Sequence, residues 1–102
     1  MYVLVTSYKP LKVWGYKLGF ARFSNENYNN DITDIDNLYV HLTNVAIQKY
    51  SDKYTSTHGG KLNLDKLRFY FEQSFGLERT MNLFEEINQI FILSLKMVQK
   101  VI

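Results

Sequence analysis

The chain has 102 residues, 46% hydrophobic and 16% aromatic, a composition typical of at most one packed domain and not of a disordered segment. It contains no cysteine, which excludes disulfide bonds, thiolate metal sites and a cysteine nucleophile. The formal net charge is +2, and no apolar stretch approaches the ~20 residues that cross a bilayer. We therefore expect no membrane insertion and a cytoplasmic protein.

The charge is unevenly distributed along the chain. Residues 1–22 carry four basic side chains and no acidic one, whereas residues 23–40 carry four acidic side chains and no basic one. A basic front suits an acidic partner, such as a nucleic acid backbone or a glutamate-rich peptide. The simpler interpretation, which we favour from charge alone, is a set of solvated lysines on one hairpin.

Three strand-like runs open the chain, at residues 2–8, 11–16 and 20–23. The first is β-branched and aromatic with apolar residues on both faces, as in a central strand. Pro10 ends it, since proline cannot donate to a ladder of hydrogen bonds. The connections are too short for a crossover, so the three runs predict an antiparallel meander.

The middle of the chain predicts shorter elements between loops. Residues 24–37 are rich in asparagine and aspartate, which favour turns, and predict a mobile surface loop. Residues 38–42 predict a fourth extended segment. Residues 45–50 predict one helical turn with Asn44 as its N-cap. A second loop is expected over residues 51–61, where a double glycine allows a sharp bend.

The second half of the chain predicts two helices. Apolar residues recur at helical spacing over residues 64–75, with Asn63 as N-cap and Gly76 where a helix-ending glycine is expected. A second stripe runs over residues 77–102 and is wide enough to predict burial on more than one side. The chain begins and ends within these patterns, so we expect it to be incomplete at both ends.

Residues 41–49 place a histidine, a hydroxyl and an amide directly after an apolar run. Polar groups at the point where a chain turns are a common place for a ligand. From the residues alone, Asn44 is either a ligand contact or a helix cap, and Thr43 is either a ligand contact or bonded to its own backbone. We assign no catalytic role to His41.

The same nine residues, HLTNVAIQK, belong to a wider similarity. Together with residues 2–8, Pro10–Leu11 and residues 19–23, they resemble in order and approximate spacing the middle region of the tubulin-tyrosine-ligase-like family. Within that family the resemblance is to the tubulin polyglutamylases, and it covers the whole chain. It implies an α+β fold: residues 1–102 are a central fragment of an ATP-grasp domain, with N-terminal antiparallel strands followed by two C-terminal helices.

The resemblance also implies a reaction and its partners. Family members of this kind are ATP-dependent ligases that add glutamate to tubulin side chains through an acyl phosphate. The expected partners are tubulin or microtubules with acidic C-terminal tails and free glutamate, with no nucleic acid. The expected location is the cytoplasm and cytoskeleton, including the cilium or basal body.

Four site residues follow from the resemblance. Arg22 and Lys61 are implied to bind the incoming amino acid, and Thr43 and Asn44 to contact ATP. A guanidinium matches a carboxylate with two hydrogen bonds, which a lysine cannot do. Taken alone, an arginine at a strand end or a lysine in a loop is more often simply solvated or in a salt bridge.

No catalytic residue or metal ligand is assigned within the chain. The family segments that supply an ATP-contacting arginine and the Mg²⁺ ligands do not occur in it. Glu85 and Glu86 are adjacent and point about 100° apart on a helix, which is unsuited to sharing one metal ion. We therefore expect Mg²⁺ to be held outside these residues and the 102-residue chain alone to be inactive.

Two other interpretations compete with the ligase. One is a catalytically inactive truncated fragment or tubulin-binding remnant, which shares every residue above. The other is an RNA-binding module, because residues 17–23 vaguely resemble an aromatic strand of an RNA-recognition motif. That motif disfavours an arginine at Arg22 and requires a helix after its first strand.

Overall fold

The computed structural model describes residues 1–55 and 60–102. Its elements in chain order are the strands and helices β1 (Val3–Tyr8), β2 (Leu11–Gly15), β3 (Phe20–Arg22), α1 (Leu38–His41), α2 (Val45–Gln48), β4 (Lys61–Asn63), α3 (Leu64–Phe75) and α4 (Leu77–Gln99). The predicted α+β class, with antiparallel strands and two C-terminal helices, is confirmed.

The chain forms two compact units. The hairpin–helix unit comprises Met1–Gly19 with Leu64–Ile102, and the central unit comprises Phe20–Asn63. The first unit contains β1, β2, α3 and α4; the second contains β3, β4 and the two short helices. Each unit is described below by itself.

Strands β1 and β2 form the predicted antiparallel hairpin. Val3 pairs with Gly15 and Tyr8 with Leu11 across it, with a shift of register between Val5 and Ser7. Within the described residues β1 has no other neighbour, so the prediction of a central strand is wrong. β1 runs directly into β2 without a helix, which also argues against an RNA-recognition motif.

The third strand corrects the predicted meander. β3 pairs with β4 and not with β2, and the antiparallel register places Ala21 opposite Leu62 and Arg22 opposite Lys61. Lys61, expected in a loop, is therefore the first residue of a strand. The partner strand is three residues long and lies far downstream, so no local pattern revealed it. Residues 56–59 of the predicted loop, including Gly59, lie outside the described residues.

Gly60 fixes the point at which β4 begins. Its φ is +70°, in the region that favours glycine, and an added Cβ would lie 2.8 Å from the carbonyl oxygen of Phe23. The N–H of Phe23 donates to the carbonyl oxygen of Gly60 at 2.7 Å. The backbone at the end of β3 thus approaches residue 60 too closely for a side chain, and this contact sets the position of Lys61.

The short helix α1 replaces the extended segment predicted for residues 38–42. Asn37 caps it, because its Oδ1 accepts a hydrogen bond of 3.1 Å from the N–H of Tyr39. A short apolar run is compatible with both a strand and a buried helical turn, and here the cap formed by Asn37 favours the helical turn. The preceding residues 24–37 contain no strand, in agreement with the predicted loop, and form one 3₁₀ turn at Ile32–Asp34.

Helices α3 and α4 agree closely with the predicted bounds. Gly76, with φ +90°, separates them, and its N–H donates to the carbonyl of Glu72 at 3.0 Å, as expected of a helix-ending glycine. Phe84 is the buried apolar side chain of α4, at 7% exposure, beside Thr80. The N–H of Leu64 donates to the carbonyl of Gly19 at 2.9 Å and ties the start of α3 to the end of the hairpin segment.

The predicted burial of α4 on more than one side is wrong within the described residues. Ile90 is 61% exposed and Met97 80% exposed. The wide apolar stripe is therefore present in the sequence, but only the side of α4 that carries Phe84, Ile87, Phe91 and Leu95 is buried or half-buried within this unit. Among the described helices, none has the length and apolar character needed to cross a membrane.

Candidate functional site

Arg22 and Lys61 lie side by side in the central unit. Arg22 ends β3, Lys61 begins β4, and the two are direct partners across the antiparallel pair. Cross-strand partners project from the same face of a sheet. On that face both cations approach the ring of Phe20, with Arg22 Cζ 5.4 Å and Lys61 Nζ 5.1 Å from its centroid. The structure thus brings together the two residues that the sequence resemblance assigned to amino-acid binding.

Neither cation is neutralised by the described residues. The salt bridges within residues 1–55 and 60–102 join Lys53 to Glu26 and Arg68 to Glu72, and both Arg22 and Lys61 are exposed. Like charges placed directly opposite destabilise a strand pair, by an amount on the order of 0.2–1 kcal/mol. The ring of Phe20 offsets part of this repulsion through its π face. An anionic ligand between the two cations would offset more.

The chemistry of this pair fits a carboxylate. The planar guanidinium of Arg22 presents parallel N–H groups that match two carboxylate oxygens, while the ammonium of Lys61 is a compact charge on a flexible stem. An amino acid with two carboxylates has one for each cation. A salt-bridged role for Arg22, the plain alternative from sequence, has no acidic partner among the described residues.

Thr43 and Asn44 lie between α1 and α2, in an exposed segment of the same unit. Asn44 stands at the N-cap of α2, and its main-chain carbonyl accepts from the N–H groups of Ile47 and Gln48 at 3.0 and 2.9 Å. Its side chain forms no capping hydrogen bond. The cap position is confirmed, but the amide of Asn44 is not used for capping.

The hydroxyl of Thr43 likewise forms no hydrogen bond with its own backbone or with any other described residue. Both polar side chains are therefore free to meet a ligand. Within the described residues they share no hydrogen bond with Arg22 or Lys61. Arg22 and Lys61 are therefore neighbours across two strands, and Thr43 and Asn44 are neighbours in sequence, but no direct bond among the described residues joins the first pair to the second.

Gln48 is the residue of this region that sequence reasoning missed. It is 1% exposed, and its amide is the polar centre of the unit. Its Nε2 donates to the carbonyls of Tyr39 and Leu42, and its Oε1 accepts from the N–H of Asn25 at 2.9 Å. The available signal was spacing: Gln48 follows Val45 by three residues and so lies on the same face of a helical turn as that apolar residue.

His41 has a structural environment that needs no catalytic role. It is exposed at the end of α1, and its Nε2 lies 3.1 Å from the carbonyl oxygen of Asp34. Its ring meets that of Tyr28 edge-on, with centroids 6.0 Å apart. These contacts hold the start of the residue 41–49 segment against the preceding loop.

The described residues contain no cluster of three or more histidine or acidic side chains that could hold a metal ion. Glu85 and Glu86 are exposed on α4 in the hairpin–helix unit. The side chains of Thr43 and Asn44 are a neutral hydroxyl and a neutral amide, which suit hydrogen bonding to a polar ligand but supply no carboxylate for metal coordination.

The central unit of this α+β segment thus carries a paired arginine and lysine and, elsewhere in the same unit, a hydroxyl and an amide without hydrogen-bond partners among the described residues. The sequence model of the Tubulin-tyrosine ligase family matches residues 1–102, and the chain belongs to this family. The resemblance identified from the sequence is therefore confirmed.

Curated relatives agree with this assignment, two of the three described here over the full length of the chain. It is 55% identical over 102 residues to a probable alpha-tubulin polyglutamylase, Ttll1, of Tetrahymena thermophila, and covers 25% of that protein. It is 49% identical over 102 residues to a probable tubulin polyglutamylase, TTLL9, of Bos taurus, and covers 22% of it. Over 85% of this chain it is 35% identical to the tubulin polyglutamylase TTLL6 of Homo sapiens, and covers 10% of that protein. The chain thus spans about a quarter or less of the length of these relatives.

Proposed function

We propose that residues 1–102 are the central part of an ATP-grasp domain and carry the amino-acid side and part of the nucleotide side of a tubulin-glutamate ligase. The observation that supports this most strongly is the Arg22–Lys61 pair, two adjacent cations without an acidic partner among the described residues. The names of the similar proteins supply the substrate class, since they are tubulin polyglutamylases.

In this proposal Arg22 holds a carboxylate of the incoming glutamate with two hydrogen bonds, and Lys61 contacts the same amino acid as a point charge. Phe20 limits the freedom of both side chains through its ring. Holding glutamate by its carboxylates fixes the direction of its amino group. That positioning is the main contribution a binding site makes to amide-bond formation.

Thr43 and Asn44 form the nucleotide side, where the hydroxyl and the amide bind ATP. When bound, ATP supplies the phosphoryl group that activates the acceptor carboxylate. The Mg²⁺ ions that neutralise its phosphates are held by residues other than these, and the chain by itself is insufficient for catalysis. Tubulin or microtubules, with their acidic C-terminal tails, are the protein substrate, which places the enzyme on the cytoskeleton, including cilia or basal bodies.

The test is Arg22→Lys in the full-length ligase. Lysine keeps the positive charge but cannot form the two parallel hydrogen bonds of a guanidinium. We therefore expect the KM for glutamate to rise about tenfold, equivalent to ~1.4 kcal/mol, with the KM for ATP changed less than about twofold. Arg79→Lys is the matched control: Arg79 is also exposed, with its Cζ 5.5 Å from the ring centroid of Phe75. Equal loss of glutamate and ATP use in Arg22→Lys would show a structural role for Arg22 and contradict the proposal.

A further inference from the structure

The side chain of Gln48 joins three segments of the central unit that are separate in sequence. Its oxygen accepts from the N–H of Asn25, which follows Arg22 by three residues. Its nitrogen donates to the carbonyl of Leu42, directly before Thr43, and to the carbonyl of Tyr39 at 3.2 Å. One buried amide therefore bonds to the backbone on both sides of the proposed site.

The backbone of Gln48 adds to this connection. The side-chain nitrogen of Asn25 donates to the carbonyl oxygen of Gln48 at 3.4 Å, beside the bond from its own N–H to Gln48 Oε1. Both donor hydrogens of the Gln48 amide are used, and its oxygen is satisfied. Within the described residues no buried side-chain polar atom is left without a partner. A fully satisfied buried polar network specifies one arrangement of the segments it joins.

We propose that Gln48 is a positioning residue that aligns the nucleotide-binding and glutamate-binding halves of the site through opposite ends of its amide. The nitrogen fixes the Leu42 carbonyl and so the backbone that presents Thr43 and Asn44. The oxygen fixes the Asn25 N–H and so the direction in which the chain leaves Arg22. This role rests on the function proposed above, since it takes the two pairs as binding residues.

The two ends of the amide can be altered separately. Gln48→Glu keeps an oxygen for the Asn25 N–H but turns the nitrogen end into an acceptor that faces two carbonyl oxygens. Gln48→Met keeps the length and volume but removes both ends. A residue that only fills space would tolerate methionine better than glutamate. A residue that positions two segments should instead affect mainly one substrate's KM when one end of its amide is changed, and both KM values when both ends are removed.

The experiment measures the KM for ATP and for glutamate in the full-length ligase. For Gln48→Glu we expect the KM for ATP to rise about tenfold or more, with the KM for glutamate changed less than about threefold; for Gln48→Met we expect both to rise. Gln89→Glu, at an exposed glutamine of α4, is the charge-matched control and should change neither. Equal effects of Gln48→Glu on the two KM values, or no effect on either, would overturn the positioning role.

Arg22→Lys and Thr43→Val in the same assays separate this inference from the function on which it rests. If those variants shift their own substrate's KM while the Gln48 variants change nothing, only the role of Gln48 fails. If Arg22→Lys and Thr43→Val also change nothing, the proposed function fails.

A measurement on the unmodified ligase decides the matter if the Gln48 variants do not fold. A non-hydrolysable ATP analogue should slow amide hydrogen exchange at residues 42–48, and through Gln48 also at residues 24–26. Slowing at residues 24–26 together with residues 42–48 is the expected result. Slowing confined to residues 42–48 would contradict coupling through this amide.

Discussion

The two units of the chain differ in the length of their elements and in the reach of their buried polar groups. The central unit has helices and strands of three or four residues; it buries Val40, and its most buried side chain, Gln48, bonds to three other segments. The hairpin–helix unit contains helices of 12 and 23 residues; it buries Phe84, and its buried Thr80 bonds only at the start of its own helix. Hydrogen bonds are directional, whereas apolar burial is not.

This difference indicates where small changes matter for function and where they matter for stability. In the central unit single polar atoms set the position of the backbone that carries the proposed binding residues. In the hairpin–helix unit the position of the backbone depends instead on many weak contacts. We therefore expect substitutions in the second unit to act on the free energy of unfolding, and those around Gln48 to act on binding as well.

The largest expected effect is that of Phe84→Ala. Phe84 is buried, and the guanidinium of Arg68 lies 4.7 Å from its ring centroid, so truncation leaves a cavity and removes a cation–π contact. Phe→Ala substitutions in cores lower the free energy of unfolding by about 3–5 kcal/mol. Urea unfolding monitored by circular dichroism measures the change.

Ile90→Ala is the control for Phe84→Ala, because Ile90 lies on the same helix but is largely exposed. We expect its effect to stay within about 0.5 kcal/mol. A loss at Ile90 as large as that at Phe84 would contradict the view that the unit depends on the narrow, covered part of the α4 stripe.

Gly60→Ala tests the central unit next. Alanine at this position combines a positive φ with a Cβ 2.8 Å from the carbonyl oxygen of Phe23, and we expect a loss of about 2 kcal/mol in the free energy of unfolding. Gly76→Ala has the positive φ but open space, so about 1 kcal/mol is expected. Gly15→Ala has neither and should be close to neutral. Equal effects at Gly60 and Gly76 would show that the close approach to Phe23 is unimportant.

We expect a smaller effect from Thr80→Val than from Phe84→Ala or Gly60→Ala. Thr80 is buried, and its hydroxyl donates to the carbonyl oxygen of Gly76 at 2.9 Å. Valine keeps the shape and removes one hydrogen bond, so the midpoint of thermal unfolding should fall by an amount equivalent to about 1 kcal/mol. Ser94→Ala removes a similar bond at an exposed position of the same helix and should have almost no effect. A neutral Thr80→Val would show that burial adds nothing to this bond.

The elements that the sequence predicted correctly are those specified by local patterns. The β1–β2 hairpin follows from its short connection, and α3 and α4 follow from apolar residues at helical spacing and from Gly76. The pairing of β3 with β4 was missed because the three residues of β4 give no strand signal and lie far from β3 in the sequence. The helix α1 was missed because its cap, Asn37, belongs to a stretch in which many residues are asparagine or aspartate.

The site was predictable to a different degree. Arg22, Lys61, Thr43 and Asn44 were named from the family resemblance, and their roles stay predictions. That Arg22 and Lys61 share one face was not visible from sequence, because it depends on the register of distant strands. Gln48 was missed because only the folded chain shows which short segments its amide joins.

The close approach of Gly60 to Phe23 has a consequence for chain length. Because the backbone bond between these residues sets where β4 starts, residues inserted into the preceding connection need not displace Lys61. A change in the length of that connection is therefore compatible with the pairing of Arg22 and Lys61. A tag or probe placed there would label the protein next to its proposed glutamate site without changing the register that forms it.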